Sequence, residues 1–144
     1  MFKRLRQRGD ERGANLVEFA LVAPLLFALL FGMIEFGWAF AQNLDVKHTA
    51  REAGRLAAVD SSIAEIEARV CNNDLLNSAL VQTISRTGGD EAGETAELTV
   101  SADLQQITGL FSWVLGGTTL SSTVEFRLEQ DPDNWDGSNL APCP

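Results

Sequence analysis

Residues 19–41 are apolar or small throughout except for Glu35, and a second acid, Glu18, closes the run on its N-terminal side. These 23 residues make about 34 Å of helix at about 1.5 Å per residue, enough to cross a hydrocarbon core of about 30 Å. Over residues 44–59 the pattern changes: Ala50, Ala53, Gly54, Ala57 and Ala58 recur at helical spacing and predict a narrow stripe that packs closely against another surface. Lys47, Arg51, Glu52 and Arg55 beside that stripe predict a solvated face with a Glu52/Arg55 pair. Ser62 and Glu65 have the spacing of a capping box, which opens a second helix with Ile63, Ile66 and Val70 on one side. After a break at Asn72-Asn73-Asp74, Leu75, Leu76, Ala79, Leu80 and Ile84 predict a third amphipathic helix, ended by Gly88-Gly89.

Past the acidic linker 90–94 the period falls to two. Ala96, Leu98, Val100 and Ala102 alternate with polar residues, as do Leu120, Ser122, Val124, Phe126 and Leu128, which predicts an antiparallel hairpin. Its connection, residues 109–117, is unusually apolar for a loop: it either tucks over the hairpin or presents a patch to lipid or a partner. The expected fold class is therefore α+β: a long N-terminal transmembrane helix continuing into a stalk helix, then a small extracytoplasmic domain of short helices and a β-hairpin.

Charge gives this layout a direction. Residues 1–13 carry five basic side chains against Asp10 and Glu11, whereas residues 42–144 carry six basic and sixteen acidic ones. Five cations before the apolar run and three (Lys47, Arg51, Arg55) soon after it place the N-terminus in the cytoplasm and the last hundred or so residues outside. The acidic exterior argues against nucleic acid, whose binding draws on basic groups that release counterions.

Three fates are open to such an N-terminus. Ala39-Phe40-Ala41 offers a signal-peptidase motif, although Glu35 falls just before that cut and the apolar run is longer than usual. A plain uncleaved anchor would leave Glu18 at the lipid boundary. The third is cleavage after Gly13: a glycine ends the basic leader, Glu18 stands five places on, and the apolar run follows directly, which is the shape of a type IV prepilin processing site. The mature chain would then start at Ala14.

The run RGANLVEFALVAPLLFALLFGMIEFG resembles the N-terminal signature of TadE-like proteins, minor pseudopilins of tight-adherence (Flp) pilus systems, through Gly13, Val17-Glu18-Phe19, Pro24 and the Gly32/Glu35 pair. NLDVKHTAREAGRLAAV is similar to the stalk of that family, and the layout of residues 98–129 to its C-terminal hairpin. The resemblance implies a leader at 1–13 removed by a prepilin peptidase, a transmembrane and stalk helix at 14–59, and an extracytoplasmic domain at 60–144. It also implies retention in the cytoplasmic membrane, and work with other pilins and the membrane assembly platform, either within the filament or beside it.

Cleavage would give Ala14 a free amine one helical turn before Glu18, so that carboxylate could pair with its own amine or a neighbouring subunit's and select one docking register. Glu35 projects roughly 100° away from the Glu18 face and is either an acid at the outer headgroup boundary or a contact for a partner's helix. Pro24 removes the hydrogen bond to Ala20 and is expected to kink or loosen the helix. Ala20, Pro24, Ala28 and Gly32 form a small-residue ridge that another helix could approach, although small residues are frequent in membrane helices in any case.

Cys71 and Cys143 are the only cysteines. Outside the membrane a bridge between them is expected, worth roughly 4 kcal/mol by loop-closure entropy, with free thiols or an intersubunit bond as alternatives. The tail DPDNWDG has an EF-hand flavour, but Trp135 occupies a ligand position and no glutamate follows at the right distance. The single histidine, His48, has no ligand set near it, and no nucleophile and base are spaced for catalysis. The sequence thus points away from an enzyme, a metal, a cofactor or a small-molecule substrate. The competing function is a signal-anchored extracytoplasmic binding module unrelated to pili.

Overall fold

The computed structural model describes residues 10–71 and 81–133. Helix α1, Asp10–Ala58, runs 49 residues, about 74 Å at about 1.5 Å per residue. It passes through Pro24 without interruption, so the missing amide loosens at most one turn of an otherwise continuous helix. Its end is a Schellman turn: Asp60 takes a left-handed φ of 53°, its N–H donates to the Ala57 carbonyl, and the Ser61 N–H reaches back to Leu56. Helix α2, Ile63–Cys71, follows. Its capping box is reciprocal, the Ser62 N–H donating to Glu65 Oε2 at 3.2 Å and the Glu65 N–H to Ser62 Oγ at 3.4 Å.

Strands β1 (Val81–Thr87), β2 (Thr95–Asp103) and β3 (Thr119–Arg127), with a one-turn helix α3 (Ser112–Leu115) between the last two, complete the elements of the described residues. They form one antiparallel sheet in the order β1-β2-β3. The expected hairpin is thus two-thirds of a three-stranded sheet. The expected third helix is corrected: residues 81–87 are strand, and Gly88-Gly89 ends that strand instead of a helix. Val81, Thr83, Ile84 and Thr87 are β-branched and pair along β2 from Thr87↔Glu97 to Val81↔Ala102. The rest of the expected helix, with Leu75, Leu76, Ala79 and Leu80, lies outside the described residues.

The inward face of β2 is Ala96, Leu98, Val100 and Ala102, all fully buried. The sheet lies on the small-residue stripe of α1, where Ala50, Ala53 and Ala57 are buried and a side chain at Gly54 would meet Val124 and Phe126 of β3. Without the bulk of larger residues there, the sheet backbone approaches the helix closely and one core forms with Val46, Ile66, Val70 and Ile84. The Glu129 N–H donates to the Ala58 carbonyl at 2.8 Å, fastening the chain after β3 to the helix end. Glu52 pairs with Arg69 of α2 at 3.2 Å and not with Arg55, because α2 lies across that side of α1.

Candidate functional site

Helix α1 divides into two parts. From Gly13 to Leu30 every side chain except the half-buried Ala23 is exposed, including Leu16, Val17, Phe19, Leu21, Leu25 and Phe27. This is a helix that is apolar nearly all round with none of the other described elements against it, and it is long and apolar enough to cross a membrane. Gly13 and Ala14 lie on this bare stretch, as do Glu18, Phe19, Ala20, Pro24 and Ala28, all exposed. Glu18 makes no hydrogen bond or ion pair with the described residues. Its side chain is exposed.

From Phe31 onward the rest of the chain begins to cover α1. Glu35 is 1% exposed, although it sits in the apolar run. Its Oε1 accepts the Ile107 N–H at 3.0 Å, and its Oε2 accepts the Thr108 N–H at 3.1 Å and the Thr108 hydroxyl at 2.8 Å. Seven residues on, Gln42 lies on the same face and is also 1% exposed. Its Nε2 donates to the Gln105 carbonyl at 2.8 Å and its Oε1 accepts the Gln105 N–H at 2.9 Å, as a strand neighbour would. One turn before Glu35, a side chain at Gly32 would meet the Phe111 ring at 3.6 Å, so Gly32 admits an aromatic ring from the same chain.

Gln42, Glu35 and Gly32 therefore hold successive points of one connection, the segment between β2 and β3, and draw it along α1. It does not tuck over the hairpin. Its outer side is apolar: Ile107, Leu110, Trp113 and Val114 are 55%, 57%, 83% and 54% exposed. From the sequence alone Glu35 reads as a boundary acid or an intermolecular contact, and neither Gln42 nor Thr108 stands out. The available signal was the two-turn spacing of Glu35 and Gln42, followed by a third buried polar residue, Thr49, again seven residues on.

Cys71 closes α2 half-buried against the core. Cys143 lies outside the described residues, as does Trp135 of the DPDNWDG tail. Asp131 of that tail accepts the Ala92 N–H at 2.7 Å and so braces the turn between β1 and β2. Among the described residues no group of three or more His, Cys, Asp or Glu side chains could hold a metal ion.

The family model for TadE-like protein matches residues 13–55, which takes in the bare part of α1, Gly32, Glu35 and Gln42, and most of the stripe beneath the sheet. No curated protein and no solved structure matches the chain.

Proposed function

We propose, from the premise that the chain is TadE-like through residues 13–55, that it is a minor pseudopilin of a tight-adherence pilus system, cut after Gly13 by a prepilin peptidase. The observation that carries the reading is the bare N-terminal part of α1, an apolar surface that needs lipid before assembly and neighbouring helices after it. Scission exposes the Ala14 amine one turn before Glu18. In a staggered array the pair neutralises itself or the pair of an adjoining subunit, so register is selected by charge, while the ridge at Ala20, Pro24 and Ala28 lets helices approach. Phe19 completes the apolar rim beside Glu18. The partners are other pilins, the peptidase and the assembly platform, with the ectodomain outside the cytoplasmic membrane.

One observation bears on the secretory alternative. A cut after Ala41 would remove Gly32 and Glu35, the residues that hold Phe111, Ile107 and Thr108, and would release the loop from its clasp. A signal-anchored binding module that keeps α1 intact is the remaining second reading. The two separate in a Glu18→Ala strain: the pseudopilin reading expects normal membrane insertion with impaired pilus assembly, counted by electron microscopy. Undiminished piliation would refute the role given to Glu18.

A further inference from the structure

The connection between β2 and β3 walks down α1 toward its N-terminus. Gln105 is held by Gln42, Ile107 and Thr108 by Glu35, and Phe111 rests on Gly32. From Gln42 to Gly32 is ten residues, about 15 Å along the helix axis at about 1.5 Å per residue. An extracytoplasmic loop that descends this far beside a membrane-crossing helix reaches the depth of Met33, Phe36 and Phe40, themselves 69%, 62% and 65% exposed. We propose that the loop tip, residues 110–114, is embedded in the outer leaflet of the phospholipid bilayer next to α1. The inference rests on the reading of α1 as a membrane span with the ectodomain outside.

Two further features favour lipid as the occupant. Residues 104–118 contain no Asp, Glu, Lys or Arg, in an ectodomain otherwise rich in acids. A protein surface built for water would scarcely leave Trp113 and Leu110 outward across such a stretch. The second feature is the backbone. In a bilayer each peptide N–H needs an acceptor within the protein. Of the ten N–H groups from Gln105 to Val114, six find one: those of Gln105, Ile107, Thr108, Leu110, Ser112 and Val114 donate, in turn, to Gln42, Glu35, Glu35, Thr108 Oγ1, the Gly109 carbonyl and the Phe111 carbonyl. Glu35 thus supplies acceptors where an irregular loop lacks its own. The exposed Trp113, on the one-turn α3, has the amphipathic ring favoured at a membrane interface.

The test is tryptophan fluorescence of the full chain in phosphatidylcholine vesicles with brominated acyl chains. Two single-tryptophan proteins are compared: Trp38→Phe with Trp135→Phe leaves Trp113, and Trp113→Phe with Trp135→Phe leaves Trp38 on α1 itself. Embedding predicts blue-shifted Trp113 emission, bromine quenching comparable to that of Trp38, and protection from aqueous iodide. If Trp38 is quenched by bromolipid and Trp113 only by iodide, the loop faces water and the proposal fails while the span stands. Quenching of Trp113 by neither agent would assign it a protein cover and equally overturn the proposal. Bromolipid quenching of neither tryptophan would remove the span as well.

Discussion

Replacing Gln42 by alanine takes away the side chain that satisfies both backbone groups of Gln105, at 2.8 and 2.9 Å. A neutral hydrogen bond contributes about 0.5–1.5 kcal/mol net, and a buried group left without a partner costs about 1–3 kcal/mol. Both groups are only partly buried, so water recovers some of that cost, and about 2–4 kcal/mol is the expected loss. It should appear mainly as local opening of the segment around Gln105, because the core stripe Ala50, Ala53 and Ala57 lies farther along α1. At about 1.4 kcal/mol per tenfold, amide exchange across residues 104–108 should accelerate by roughly 30- to 700-fold. Hydrogen exchange with mass spectrometry on the full chain in nanodiscs reads this directly, with exchange in β2 as the internal reference and Lys47→Ala, an exposed neighbour, as the control. A change under about threefold would mean that Gln42 does not hold the loop, and the descent of the connection along α1 would lose its upper anchor.

Two other expectations concern the sheet packed on α1 and the cysteines. Gly54→Leu should push β3 off the helix, since even a Cβ would sit 3.4 Å from Val124 Cγ1; overpacking of this kind costs about 1–3 kcal/mol, read as a lowered thermal midpoint, whereas Gly54→Ala should be tolerated. An unchanged midpoint for Gly54→Leu would show that the stripe is not the sheet's seat. The bridge proposed between Cys71 and Cys143 predicts that natively exported protein lacks two hydrogens in intact mass and gains them on reduction; two alkylatable thiols without reductant would dispose of it.

The sequence reveals most where the signal is local. The apolar run announced α1, Ser62 and Glu65 announced the start of α2, and strict alternation over Ala96, Leu98, Val100 and Ala102 gave β2 its inward face. What escaped depends on distant partners. Strand β1 is an edge strand with an irregular register between Val81 and Thr83, so its period of two is weak, and Ile84 fitted the helical spacing of Leu76 and Leu80 equally well. The small-residue stripe was visible, but not that the chain's own sheet covers it. Glu35 is the sharpest case: its acceptors serve backbone groups 72 and 73 residues away, and a carboxylate satisfied by amides leaves no complementary charge in the sequence to betray it. Glu52 chose Arg69 over Arg55 for the same reason, a tertiary neighbour displacing a local one.

The claim on which the pilin reading turns is scission between Gly13 and Ala14. Top-down mass spectrometry of the chain recovered from the membranes of its native host measures the N-terminus without ambiguity. Ala14 as the first residue is the expected result, and loss of that product in a strain without its prepilin peptidase should accompany it. A first residue of Met1, or of Gln42, would contradict the account.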